Sequence, residues 1–444
     1  MSDCTACPEY NELSRRGFLQ LSAATLAALG APSWLPRIAM AGPRGGDSTR
    51  DVFVYIYLRG GADGLTLCVP YGDPAYGTVR NLTRIQVPDG TINTAQALSN
   101  SNFFGLPPAM APLTQVYEDG KLAIVHACGW NIANPSRSHF DAQRWMELGQ
   151  FNPASLFTGW IGRHLADTGA VVPGTPVRGI GVANGLQQSL VGGPQTIPVP
   201  GLQQSNSPNF NLHGPTGTVA ARRASLAAMY TATTDPLRTE AAIAQSTIDL
   251  LAAIPFASYT PAGGAVYPTS SFGYSMKSTA AIIKNNMGVE AVAIDRSGWD
   301  THSNQGVGPG GGMYTVMQDV ASALRAFYTD VVQNYTRNVV VVVQSEFGRR
   351  VQENASGGCD HGYGNCMFLM GNRINGRQVL SYDTNGVPGW PGLGPGQLFQ
   401  NLDLKVTIDF RDILSEVAAN LLNNTNPANL FPGYVATFRG VTAP

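Results

Sequence analysis

Six residues have the chemistry of metal ligands or acid–base groups: Asp63, Asp300, His302, Glu346, Asp360 and His361. Each stands close behind an apolar, β-branched run or in the loop beside one. Asp300 and His302 are separated by one residue. Alternate side chains of an extended segment share a face, so both can reach one ion. Carboxylates with imidazoles suit Zn²⁺ or a harder ion such as Mn²⁺, Mg²⁺ or Ca²⁺. The set has donors for one divalent ion or for two. Two ions roughly 3.5–4 Å apart would clamp an ester, one activating water and the other taking the leaving oxygen. Plainer roles exist: Asp63 can brace a glycine-rich turn, Asp300 and His302 can pair, and Glu346 can bridge to Arg349 or Arg350.

A second group is Arg137-Ser138-His139. A serine at a helix N-terminus near metal ions is a potential nucleophile, helped by the helix dipole. It is equally well placed as a plain helix cap. His139 can bind metal or substrate. Arg137 and Arg59 can hold an anionic ester or form structural ion pairs. His126, His164 and His213 fall outside this pattern and read as structural.

Loops leaving parallel strands would gather these groups. Val339 to Val343 is an unbroken β-branched run, which suits a strand covered on both faces. Asp51 to Leu58, Lys121 to Ala127, Gly179 to Ala183, Val289 to Ile294 and Met367 to Met370 read as further strands. Helical spacing covers Pro107–Asp119, a segment from Ser136 or Ser138 to Leu148, Ser155–Asp167, Val219–Tyr230, Pro236–Ala253, Ser271–Met287, Met313–Val331 and Asp409–Leu422. This alternation predicts an α/β fold: a three-layer α/β/α sandwich with a mostly parallel central sheet. Ligands bind such sheets at the carboxyl ends of the strands. Residues 170–215 are rich in Gly, Pro, Gln, Ser and Asn and read as a loop-rich insertion over one face.

Ser14-Arg15-Arg16-Gly17-Phe18-Leu19 precedes an uncharged stretch that ends at Ala39-Met40-Ala41, a small-x-small cleavage site. That is the form of a twin-arginine export signal over residues 1–41. It leaves a single domain at 42–444, placed in the periplasm or elsewhere outside the cytoplasm. The twin-arginine export machinery is then a partner. Gly30, Pro32 and Pro36 break the apolar stretch, so no permanent membrane span is expected after cleavage. The leader carries equal numbers of acids and bases, so the net charge of −1 is unchanged by its removal. That balance provides no footprint for nucleic acid. Cys359 and Cys366 bracket Asp360-His361 and can form a disulfide there. Four buried free thiols, with Cys68 and Cys128, is the alternative.

Leu58-Arg59-Gly60-Gly61-Ala62-Asp63-Gly64-Leu65, Val69 to Tyr76, Ser138-His139-Phe140, Gly298-Trp299-Asp300-Thr301-His302, Ser345-Glu346-Phe347-Gly348-Arg349 and Asp360-His361-Gly362 together resemble a twin-arginine-exported family, domain of unknown function 1501. That family is grouped by fold with alkaline phosphatases and sulfatases. The resemblance implies an alkaline-phosphatase-like sheet with a binuclear metal site at its carboxyl edge. Asp63 resembles the acidic ligand after the first strand, and Asp300 and His302 the Asp/His pair. Glu346 stands where the superfamily often has Asp followed by His, with Phe347 here instead. Asp360 and His361 resemble the later ligand loop. Pro135-Ser136-Arg137 resembles part of the sulfatase signature, with Ala133 at the nucleophile position, and Ser138 offers a different alignment. The expectation is an exported metal-dependent hydrolase of phosphate or sulfate esters. The alternative is a non-catalytic metal- or glycan-binding cell-envelope protein of the same fold.

Overall fold

Strand β1 (Val52–Arg59) alternates its side chains between two buried faces. Val52, Val54, Ile56 and Leu58 enter one apolar cluster, while Phe53, Tyr55 and Tyr57 enter the other. A strand buried on both sides requires helices above and below, as its continuous apolar sequence implies. The computed structural model describes residues 50–168, 177–183, 185–200, 216–231, 249 and 251–443, all of them in the unit Ile38–Pro444. The proposed leader at 1–41, most of the Pro236–Ala253 helix, His213 and parts of the 170–215 insertion lie outside the described residues.

The other strands of the central sheet are β2 (Leu122–Gly129), β3 (Gly179–Ala183), β4 (Thr196–Pro200), β5 (Ala291–Ser297), β6 (Val339–Ser345), β7 (Asn365–Gly371), β8 (Gln378–Leu380) and β9 (Ile408–Asp409). They lie in the order β8-β2-β7-β6-β1-β5-β3-β4, with β9 also beside β2. All pairings within this sheet are parallel except the two made by β7. The protein is therefore an α/β sandwich with a mixed, mostly parallel sheet. Helices α3 (Ser271–Lys284) and α4 (Gly312–Phe327) cover one face through Met276, Ile283, Met317 and Leu324. Helices α2 (Trp160–Asp167) and α5 (Phe410–Asn420) cover the other through Trp160, Ile161, Ile413 and Val417. Each such side chain contributes about 1.5–3 kcal/mol by leaving water. Among the described residues, no helix is long and apolar enough to cross a membrane.

Several local expectations need correction. The 170–215 segment supplies the expected strand β3 and also strand β4, so this part extends the sheet edge instead of lying over a face. The Ser155 helix begins at Trp160, after Gly159; a Cβ on Gly159 would sit 2.1 Å from the Gln188 carbonyl oxygen. The four cysteines of residues 50–443 are free and buried, so Cys359 and Cys366 do not staple the Asp360 loop.

The sheet order explains how distant residues meet. Strands β6, β1 and β5 are parallel neighbours, so the chain leaves all three at one edge. Strand β7 runs opposite to β6, so the segment that precedes it arrives at that same edge. The Asp360-His361 pair therefore reaches the edge by entering a strand, not by leaving one. Strand β2 is antiparallel to β7 and delivers the Trp130–Ser138 loop and helix α1 (His139–Leu148) to the same place.

Candidate metal centre

The Oδ1 atom of Asp300 is the meeting point. His302 Nε2 lies 3.1 Å from it, His361 Nε2 3.2 Å and His139 Nε2 3.6 Å. The Nε2 atoms of His302 and His361 are 2.9 Å apart. One ligand atom each from His139, Asp300 and His361 falls within a mutual 4.8 Å. Bonds of about 2.0–2.2 Å to a common ion place neighbouring donors about 2.9–3.5 Å apart, depending on the angle between them. The three contacts to Asp300 Oδ1 and the His302–His361 separation are close to that spacing. His139 Nε2 is buried and lacks a hydrogen-bond partner, an unsatisfied lone pair or proton facing the cluster.

Each ring is fixed from behind. His139 Nδ1 lies 2.8 Å from Glu346 Oε1, His302 Nδ1 3.2 Å from Asp360 Oδ1, and His361 Nδ1 2.7 Å from the Arg137 carbonyl. These partners can only accept when the carboxylates are ionised, so each Nδ1 carries the hydrogen and each Nε2 is left to bind. Glu346 Oε1 also accepts from the Gly60 amide at 2.9 Å and from Gln143 Nε2 at 2.8 Å. Gly60 approaches this closely with φ of 121°, and a Cβ there would lie 2.7 Å from the Asp300 nitrogen. Phe347 stacks on His139 with ring centroids 4.9 Å apart and borders His361 at the same separation. The residue after Glu346 thus walls the histidines instead of adding another.

Charge follows geometry. Burial alone would raise the Asp300 carboxyl, but the neighbouring His139, His302 and His361 rings and the Arg349 guanidinium outweigh it and hold the group far below the usual carboxylate range. Burial works against a charged His139, yet Asp300 and Glu346 lift its pKa to about 9. The Asp300 hydrogen bond raises His302. Glu346 is lowered despite its burial, through His139 and Gln143. Asp360 is likewise lowered, through Asn354 and His302. The site therefore concentrates negative charge and favours a cation at its centre.

The expected residues divide into three positions. Asp300, His302 and His361 point at the centre with His139, which the sequence marked as catalytic. Glu346 and Asp360 contact the rings of His139 and His302 from behind, at Nδ1. Asp63 is elsewhere. It is fully buried, and Arg80 binds both its oxygens at 2.5 and 3.1 Å while Thr66 and Gln305 bond Oδ2. An ion there would have to displace a buried guanidinium.

Arg137 spends its guanidinium on Asp403 and Gln400 and contributes only its carbonyl to the site. Arg59 is paired with Glu147 and Asp295. Neither is the free anion receptor the sequence suggested. Ser138 caps α1 in position, but its side chain does not bond the helix and no base holds its hydroxyl among the described residues. Arg349 was missed. It is buried and donates to the carbonyls of Gly60, Gly61, Trp299 and Cys359 and to Asp300 Oδ1, tying three loops together. Gln143 was missed too, although its spacing of four from His139 on one helix marks a shared face.

Residues 276–431 match the model of a family described as a protein of unknown function, DUF1501. The match supports that family over a stretch holding Asp300, His302, Glu346, Asp360 and His361, and it stops short of Asp63 and His139. No curated protein matches the chain. Solved structures similar to it include two mutants of TAB5 alkaline phosphatase with Mg bound in the M3 site. One is 11% identical and the other 10%; each comparison covers 73% of this chain and 92% of the other, at a TM-score of 0.26. The fold assignment rests on strand order and layering instead.

Proposed function

We propose that the chain is an exported metal-dependent hydrolase of phosphate or sulfate esters, belonging to the DUF1501 family. The observation that carries the reading is the convergence of three imidazole Nε2 atoms on Asp300 Oδ1, with every Nδ1 engaged by an acceptor. His139, Asp300 and His361 would hold one divalent ion with His302 beside them at Asp300 Oδ1, and no second set accompanies it among the described residues. A bound ion would polarise an ester oxygen and lower the pKa of a water molecule. Glu346 and Asp360 keep the imidazoles oriented during that chemistry. Arg350 takes the anion-holding role: its side chain is 39% exposed, its Nη1 lies 3.8 Å from Asp360 Oδ2, and its Nε lacks a partner. With Ser138 unactivated, water is the attacking group. Export rests on Arg15, Arg16 and the Ala39-Met40-Ala41 site, and it implies the twin-arginine machinery as partner and a periplasmic or other extracytoplasmic location.

The test is metal content of the purified mature protein, followed by assay on aryl phosphates and aryl sulfates. Bound metal, with turnover that disappears in Asp300→Ala, is the expected result. A second reading, a metal-binding envelope protein without turnover, is favoured by the engagement of Arg59 and Arg137 and by the unheld Ser138 hydroxyl. Metal without activity across a broad ester panel would select it. Absence of metal under all loading conditions would defeat both.

A further inference from the structure

A cavity of about 570 Å³ opens beside the loop that leads to His139. Its wall includes Asn131 from that loop, Tyr363, Asp383, Phe399, Lys405 and Thr407. The volume lies within the roughly 300–1,000 Å³ of small-molecule sites. One loop borders both places: residues 131–133 line the cavity, and the carbonyl of Arg137 holds His361. Tyr363, two residues after His361, fixes the loop by donating to the carbonyls of Trp130 and Ile132 and accepting from the Ile132 amide. Its ring meets Phe399 at 4.5 Å between centroids, making an aromatic wall.

The polar groups of the wall are of both kinds. Lys405 is half-buried, makes no ion pair among the described residues and can only donate. Asp383 can only accept. Its Oδ1 receives the Asn385 and Val387 backbone amides at 2.8 and 3.0 Å, while Oδ2 has only the Asn385 side-chain Nδ2 at 3.4 Å. Asn131 can do both, and Thr407 Oγ1 is buried without a partner. A purely apolar ligand would leave these groups unpaired. A small anion would meet the Asp383 carboxylate. Sugar hydroxyls donate and accept, and the C–H face of a pyranose covers an aromatic ring.

We propose that this cavity binds one or two neutral pyranose units of a saccharide. The assignment stands apart from the hydrolase reading. The experiment uses the full mature protein, stripped of metal with a chelator and titrated calorimetrically with glucose, galactose, mannose, lactose, maltose and cellobiose. At least one should bind. Phe399→Ala and Lys405→Met should each weaken it about tenfold or more, while Asp300→Asn leaves it unchanged. Circular dichroism establishes that each variant is folded. Binding by none of the panel, or equal binding by the folded Phe399 and Lys405 variants, would overturn the assignment. Saccharide binding in a protein that takes up no metal would leave this site standing and remove the hydrolase reading alone.

Discussion

His302 and His361 face each other Nε2 to Nε2 at 2.9 Å, and each carries its hydrogen on the opposite nitrogen, toward Asp360 and the Arg137 carbonyl. Two imidazole lone pairs that close repel unless a cation stands between or beside them. A proton can serve, and so can a metal shared with Asp300 Oδ1. Because a preformed site binds the folded chain alone, an ion at 100 times its Kd adds about 2.7 kcal/mol to stability. Chelation should therefore lower the melting temperature of the wild type by a few degrees and restore it on adding Zn²⁺ or Mn²⁺. In His361→Ala the chelator should have no effect. An equal chelator response in both proteins would place the ion elsewhere.

Glu346 touches the centre only through His139. In Glu346→Gln one oxygen becomes an amide donor, which weakens the acceptor that holds Nδ1. Loss of such a partner typically costs 10–100-fold in metal affinity. Competition against a chromophoric chelator should show about that loss, with metal stoichiometry still reached at high ion concentration. Gln143→Leu removes another hydrogen bond to the same oxygen and should cost less, since the carboxylate remains. A Glu346→Gln protein that can no longer be filled at any concentration would instead make Glu346 a direct ligand.

The strands and their layers were legible because Val339 to Val343 and Val52 to Leu58 are apolar on both faces, a pattern that only a covered sheet accommodates. Asp300 and His302 were legible from their one-residue spacing. The direction of β7 was not, because a short buried strand reads the same both ways, and that direction alone brings Asp360-His361 to the edge. The division between ligands and orienting residues was equally hidden. Glu346 and Asp300 are both carboxylates after strands, and only the rings interposed between them distinguish their tasks. Asp63 misled for a related reason: its partner Arg80 stands 17 residues away with no spacing that announces a contact.

The Asp63–Arg80 pair has no exposed side-chain surface. Burial raises the Asp63 carboxyl, and Arg80 more than reverses it, leaving the group below its ordinary value. Arg80 also donates to the carbonyls of Val351 and Arg350, so it pins the segment after Glu346 to the segment after β1. Removing one partner leaves a buried charge uncompensated, at a cost of about 3–5 kcal/mol. Asp63→Ala should lower the urea midpoint accordingly while the folded fraction keeps one ion per chain. A folded Asp63→Ala protein that is stable but metal-free would return Asp63 to the ligand set.

His126 and His164 set the acid limit of the fold. His126 Nε2 donates to the Cys68 carbonyl at 2.9 Å, and its Nδ1 accepts the Ala127 amide at 2.8 Å, so a second proton has no place. Ala127 adopts φ of 52° where the β2–β7 register shifts, which turns its amide back onto the ring. His164 Nδ1 faces the Asn424 amide at 3.1 Å. Burial, the largest influence, pushes each histidine down to about 4. An unfolded histidine titrates near 6.5. Between these values the unfolded chain takes up protons that the folded chain refuses. Stability from this source is thus full above about pH 6.5 and falls as pH drops toward 4, by up to about 3 kcal/mol for each histidine. Urea midpoints at pH 7, 5.5 and 4.5 should fall in that order. His126→Gln should start lower at pH 7 but lose less on acidification, since a neutral amide has no proton to gain. An unchanged pH slope in that variant would show that acid unfolding is driven from elsewhere in the chain.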